Sequence, residues 1–135
     1  MLRYKQIFMQ YLDIKGVNYT EPREDVVKVV YSSNNLSSIP VFCFFDKDGD
    51  GMAEFKCFDI INMKEKESQG IIACNELNTN YRWVKFYLDD DADIICDADM
   101  LFNESNCGEV CENIMDRMAD IIEKSFPTFA RYKFN

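Results

Sequence analysis

Apolar residues recur along this chain with two different periods, and the switches between them mark out its elements. From about Leu2 to Lys15, Tyr4, Ile7, Phe8, Tyr11 and Leu12 fall at helical spacing, and Gly16 supplies a left-handed stop. A polar stretch containing Pro22 follows through Asp25. Val26 to Tyr31 is short and β-branched, so it reads as a strand. After the polar loop SSNNLSS, Val41 to Phe45 is apolar at every position, the pattern of a strand buried from both sides. Asp46 to Gly51 turns the chain, and Met52 to Ile61 returns as the partner strand, with a less regular alternation.

Lys64 to Asn78 changes period again. Ile71, Ile72, Cys74 and Leu77 predict a short helix, with Gly70 as its weak point. Arg82 to Leu88 alternates, with Val84, Phe86 and Leu88 on one face and Trp83, Lys85 and Tyr87 on the other. The acidic run Asp89 to Asp93 reverses the chain, and Ile94 to Ala98 returns to complete a hairpin. The last helix should begin near Asn106 and run to about Ser125. Its stripe is Val110, Cys111, Ile114, Met115, Met118, Ile121 and Ile122. Pro127 limits further helix, while Phe129, Tyr132 and Phe134 imply that the tail still packs. The expected order is α-β-β-β-α-β-β-α, an α+β fold with an antiparallel sheet and its helices on one face.

Composition narrows the function. The 135 residues fit one domain spanning 1–135, and a hydrophobic fraction of 47% argues against disorder. The formal charge of -9, from 24 acidic against 15 basic residues, repels phosphate backbones and anionic membranes. No apolar run is long enough to span a bilayer, and MLRYKQIFMQYLDIKG carries no apolar signal core. A cytoplasmic protein without nucleic-acid or membrane partners is expected. Histidine is absent, which removes the usual general base and most catalytic zinc sites, and no glycine-rich phosphate loop exists. These absences argue for a non-enzymatic protein without a cofactor.

Two constellations carry alternatives. Asp46-Lys47-Asp48-Gly49-Asp50-Gly51 matches the opening of a calcium loop, with Asp46, Asp48 and Asp50 as side-chain ligands. Met52 would offer its carbonyl and Glu54 would act through water. The closing bidentate carboxylate is missing, because Cys57 stands at the twelfth position. The flanks read as strands, so a tight turn is the first reading and weak calcium binding the second. The acidic residues Asp89, Asp90, Asp91 and Asp93, followed by Asp97 and Asp99, read as a solvated hairpin tip. The six cysteines are expected to be reduced and buried. Cys107 lies near a helix N-terminus, which favours a thiolate, so thiol redox chemistry there is a lesser alternative.

Asn75-Glu76-Leu77-Asn78, the aromatic-rich hairpin from Trp83 to Ala98, and the long apolar helix ending at Phe126-Pro127 together resemble the YbjN family. The resemblance runs from about Asp25 to Tyr132. That family comprises small bacterial proteins whose fold is similar to type III secretion chaperones. It implies the element order above, a commonly dimeric state and no catalytic residues to carry over. Its members are described as sensory-transduction regulators. The acidic turn and the cysteines are not hallmarks of the family.

If Val41 to Phe45 is buried from both sides, helices cover one face and something else must cover the other. The leading reading is therefore a protein-binding module, chaperone-like or regulatory, acting as a homodimer on a protein client or regulatory partner. A calcium-responsive domain using Asp46, Asp48, Asp50 and Glu54 is the alternative.

Overall fold

The computed structural model describes residues 2–135. Its elements are α1 (Arg3–Lys15), β1 (Thr20–Arg23), β2 (Val26–Tyr31), β3 (Ile39–Phe45), β4 (Met52–Cys57), α2 (Glu67–Asn80), β5 (Lys85–Leu88), β6 (Ile94–Leu101) and α3 (Cys107–Phe134). The strands form a six-stranded antiparallel sheet in the order β1-β2-β3-β4-β6-β5. The α+β class and the sequence-based succession of elements hold, with one addition. The polar stretch before Val26 forms the short strand β1, exposed throughout and paired irregularly to β2. Pro22 cannot donate to a ladder, and an edge strand is where that costs least.

One face of the sheet carries the core. Val27, Val29, Val41, Cys43, Phe55, Cys96 and Ala98 point inward and meet Phe8 and Leu12 of α1, Leu77 of α2 and the stripe of α3. Cys111, Ile114, Met115, Met118, Ile121 and Ile122 are all buried, as their spacing predicts. Where α1 crosses α3, a β-carbon on Gly108 would lie 2.3 Å from the Tyr11 ring, so only glycine permits that approach.

Two helices differ from their sequence-based reading. The buried face of α2 is Gly70, Ala73, Cys74 and Leu77, while Ile71 and Ile72 are 58% and 54% exposed. Periodicity alone admits either pair, and packing against β5 and α3 selects the smaller residues. Second, α3 does not stop near Ser125 but continues through Pro127 to Phe134. Pro127 removes the amide that would bond the carbonyl of Glu123. The Asn35 side-chain amide takes its place, donating to that carbonyl at 2.9 Å. Buried Phe129, packed at 5.2 Å on Phe86, holds the extended end against the sheet.

Candidate functional site: the open face of the sheet

Strand alternation sends every second residue of β2, β3, β4, β6 and β5 to the face that carries no helix. Of the two faces of Val41 to Phe45 expected to be buried, the helices of the chain itself cover one. Val41, Cys43 and Phe45 are buried, whereas Phe42 and Phe44 look outward and are half-buried. They are partly shielded by each other and by Phe58, with ring centroids 5.5–6.2 Å apart. Val30, Met52 and Leu101 extend the apolar surface on either side. A groove of about 520 Å³, lined by Leu36, Pro40, Phe42, Phe58 and Ile60, adjoins the aromatic cluster.

Cations lie across these rings. The Arg23 guanidinium sits 5.6 Å from the Phe44 centroid, Lys28 Nζ 5.4 Å from Phe42, and Lys56 Nζ 5.9 Å from Phe58 and 5.7 Å from Tyr87. Such contacts hold charge against an aromatic face without a full desolvation cost. Register places them: Lys28 is the partner of Phe42, and Phe42 is the partner of Lys56. Sequence reasoning missed this arrangement. Its signal was the irregular alternation of Glu54, Lys56 and Phe58: the first two lie in the outward row of β4 and Phe58 follows just beyond its end.

The other half of the face is acidic. Register sets Glu54 opposite Asp99 and Lys56 opposite Asp97. One carboxylate oxygen each from Glu54, Asp97 and Asp99 come within 4.8 Å of one another. Asp97 is only 5% exposed, and its Oδ1 has no hydrogen-bond partner. Burial, with the neighbouring Glu54 charge adding to it, pushes the Asp97 carboxyl up to about 6.

Of the proposed metal ligands Asp46, Asp48, Asp50 and Glu54, only Glu54 joins a close group of acids among the described residues. Asp46 Oδ1 instead accepts the amide of Asp48 at 3.2 Å, and Gly49 donates to the Asp46 carbonyl at 3.2 Å. Gly49 has φ +83, and a β-carbon on Gly51 would lie 2.3 Å from the Phe102 carbonyl. Both glycines therefore have conformational reasons to stand in this turn. A second acidic group, Asp59, Asp89 and Asp93, lies beside the β5–β6 hairpin turn. There Asp89 Oδ1 accepts the amides of Asp91 and Asp93, and Asn62 donates to Asp93.

All six thiols are buried and unpaired. Burial pushes Cys57 up to about 12 and Cys74 up to about 11. At Cys107 the geometry favours the packing reading over the lesser alternative of a reactive thiolate. Its thiol lies against Cys111, is fully buried and faces the Tyr4 carbonyl at 3.6 Å, so its pKa is raised rather than lowered. A helix terminus cannot activate a sulfur from which water is excluded. No helix among the described residues is long and apolar enough to cross a membrane.

A six-stranded antiparallel sheet with helices on one face, and an open face of aromatics, lysines and acids, defines an α+β protein. A family model matches residues 62–131, and its description reads "Putative bacterial sensory transduction regulator". The chain belongs to this family, YbjN. Among solved structures, the crystal structure of "YbjN, a putative transcription regulator from E. coli" matches with a TM-score of 0.64 and 11% sequence identity. The match covers 93% of each chain. At that identity the likeness establishes the fold. No curated protein matches the sequence.

Proposed function

We propose that this chain is a regulatory protein-binding module, chaperone-like in form, that works as a homodimer through the open face of its sheet. The observation that carries the reading is Phe42, Phe44 and Phe58 gathered on a face that no helix covers. The family description, a regulator, points the same way. The face divides into a cationic half at Arg23 and Lys28 and an acidic half at Glu54, Asp97 and Asp99. A two-fold axis near its centre would set each half against the opposite half of a second copy, the self-complementarity an isologous interface needs. Buried, unpaired thiols suit a reducing compartment, which supports a cytoplasmic location as part of this reading.

Sedimentation velocity over a concentration series tests the reading. A dimer is expected, and Phe44→Glu, which puts a charge among the rings, should weaken it at least tenfold or so. Circular dichroism of that variant confirms that the fold survives. A monomer at every concentration up to high micromolar would overturn the dimer. If monomeric chains instead capture a defined regulatory protein through the same face, the occupant is a client and not a twin.

A further inference from the structure

We propose that Glu54, Asp97 and Asp99 form a binding site for a calcium-sized divalent cation on the open face of the sheet. The strands themselves create the site. Glu54 on β4 faces Asp99 on β6 directly across the ladder, and Asp97, two residues earlier on β6, points to the same side. Like charges placed opposite each other in a sheet destabilise it unless something lies between them. One oxygen from each of the three carboxylates comes within 4.8 Å of the other two.

The second observation is the state of Asp97. It is 5% exposed, and Oδ1 receives no hydrogen bond from any described residue. A buried carboxylate oxygen in that condition calls for a proton or a cation. The nearby lysines do not supply one closely. Lys85 Nζ stays 3.9 Å from Asp97 Oδ2, and Lys56 Nζ stays 3.8 Å from Glu54 while it donates to the Tyr87 hydroxyl at 3.0 Å.

The donor set selects the ion. Three carboxylate oxygens, with no nitrogen or sulfur among them, suit a hard cation. Calcium binds oxygens at about 2.3–2.6 Å, so three oxygens within 4.8 Å of one another close around it with little movement. Magnesium, at about 2.1 Å and with a strict octahedral shell, would demand a larger movement. Water from the open face would complete the shell. Two neighbouring lysines offset part of the acidic charge, so the affinity should be weak, about sub-millimolar to millimolar.

Chelator-treated full-length protein is titrated with calcium chloride by calorimetry, and its melting temperature is followed in parallel. One calcium per chain and a rise in melting temperature are expected. Asp97→Asn and Glu54→Gln should each weaken binding about tenfold or more. Glu54 is exposed enough for its variant to fold normally. Asp46→Asn should bind like the wild type, because the turn is not part of the site. No heat and no melting shift at millimolar calcium would overturn the proposal, as would unchanged binding by Asp97→Asn and Glu54→Gln. The proposed dimer would set cationic residues of a second copy against these carboxylates, so the titration is repeated on the Phe44→Glu monomer. A monomer that binds calcium upholds this site whatever the wild-type assembly, and a monomer that ignores calcium removes it.

Discussion

The side-chain amide of Asn35 donates at 2.9 Å to the backbone carbonyl of Glu123, the one carbonyl that Pro127 strips of its helical donor. The same loop then uses the Glu123 carboxylate. Ser33 donates its hydroxyl to it, and the amides of Asn34 and Asn35 donate at 3.1 Å and 2.8 Å. A helix that should end near Ser125 is thus carried past its proline by a segment almost ninety residues away in sequence.

Asn35→Ala should destabilise the protein by about 1 kcal/mol, the ordinary worth of a hydrogen bond whose acceptor has no other partner. In a Pro127→Ala background the restored amide can serve Glu123, and the cost of Asn35→Ala should shrink. Urea unfolding of the four proteins in a double-mutant cycle measures that coupling. Equal costs in both backgrounds would separate Asn35 from the proline.

Glu123 should make this lock sensitive to acid. Hydrogen bonds from Ser33 first, then from the Asn35 and Asn34 amides, hold its carboxyl below the ordinary glutamate value. A depressed folded value means stability present above the unfolded pKa, about 4.3, and lost as pH falls through the folded one. Glu123→Gln should therefore melt lower than wild type near neutrality. The gap should close in acid, and melting curves across the carboxylate range read it.

Asp97 has the opposite sign. Its pKa is raised to about 6, so the folded chain holds a proton there that the unfolded chain, near 3.9, has already released. With calcium removed, wild-type stability should rise as pH falls from above 6 toward 4. Asp97→Asn should lack that rise and be the more stable of the two near neutrality. Chemical denaturation of both proteins in chelator, at neutral and acidic pH, checks the sign.

The thiols should be silent in the native state. Cys107 and Cys111 are fully buried, with raised pKa values, and so are Cys43 and Cys96. A thiol-specific disulfide reagent should react with them only as fast as the protein unfolds. Rapid labelling of the folded protein at Cys107 would reopen a redox role.

Much of the fold was legible because it is local. The period of Tyr4 to Leu12 and the stripe from Cys111 to Ile122 announce helices, and Phe86 and Leu88, with Val84 just before the strand, set the inward side of β5. Hairpin partners adjacent in sequence, β3 with β4 and β5 with β6, followed from the turns between them. The site was less legible. Asp46, Asp48 and Asp50 matched a motif, but a motif read along one turn says nothing about what a neighbouring strand delivers.

What the sequence determined by itself was period, polarity and turn chemistry, since each depends on residues a few places apart. Which apolar residues would be buried was another matter: Cys74 and Leu77 are buried on α2 as read, but Gly70 and Ala73 complete that face while Ile71 and Ile72 stay exposed. Only tertiary structure set β6 beside β4, and with it Glu54 opposite Asp99. Only tertiary structure left Phe42 and Phe44 without a helix above them and gave Pro127 a donor from a distant loop. Each of these depends on contacts between segments far apart in the chain, whose register is decided by how the whole core packs and not by any local pattern.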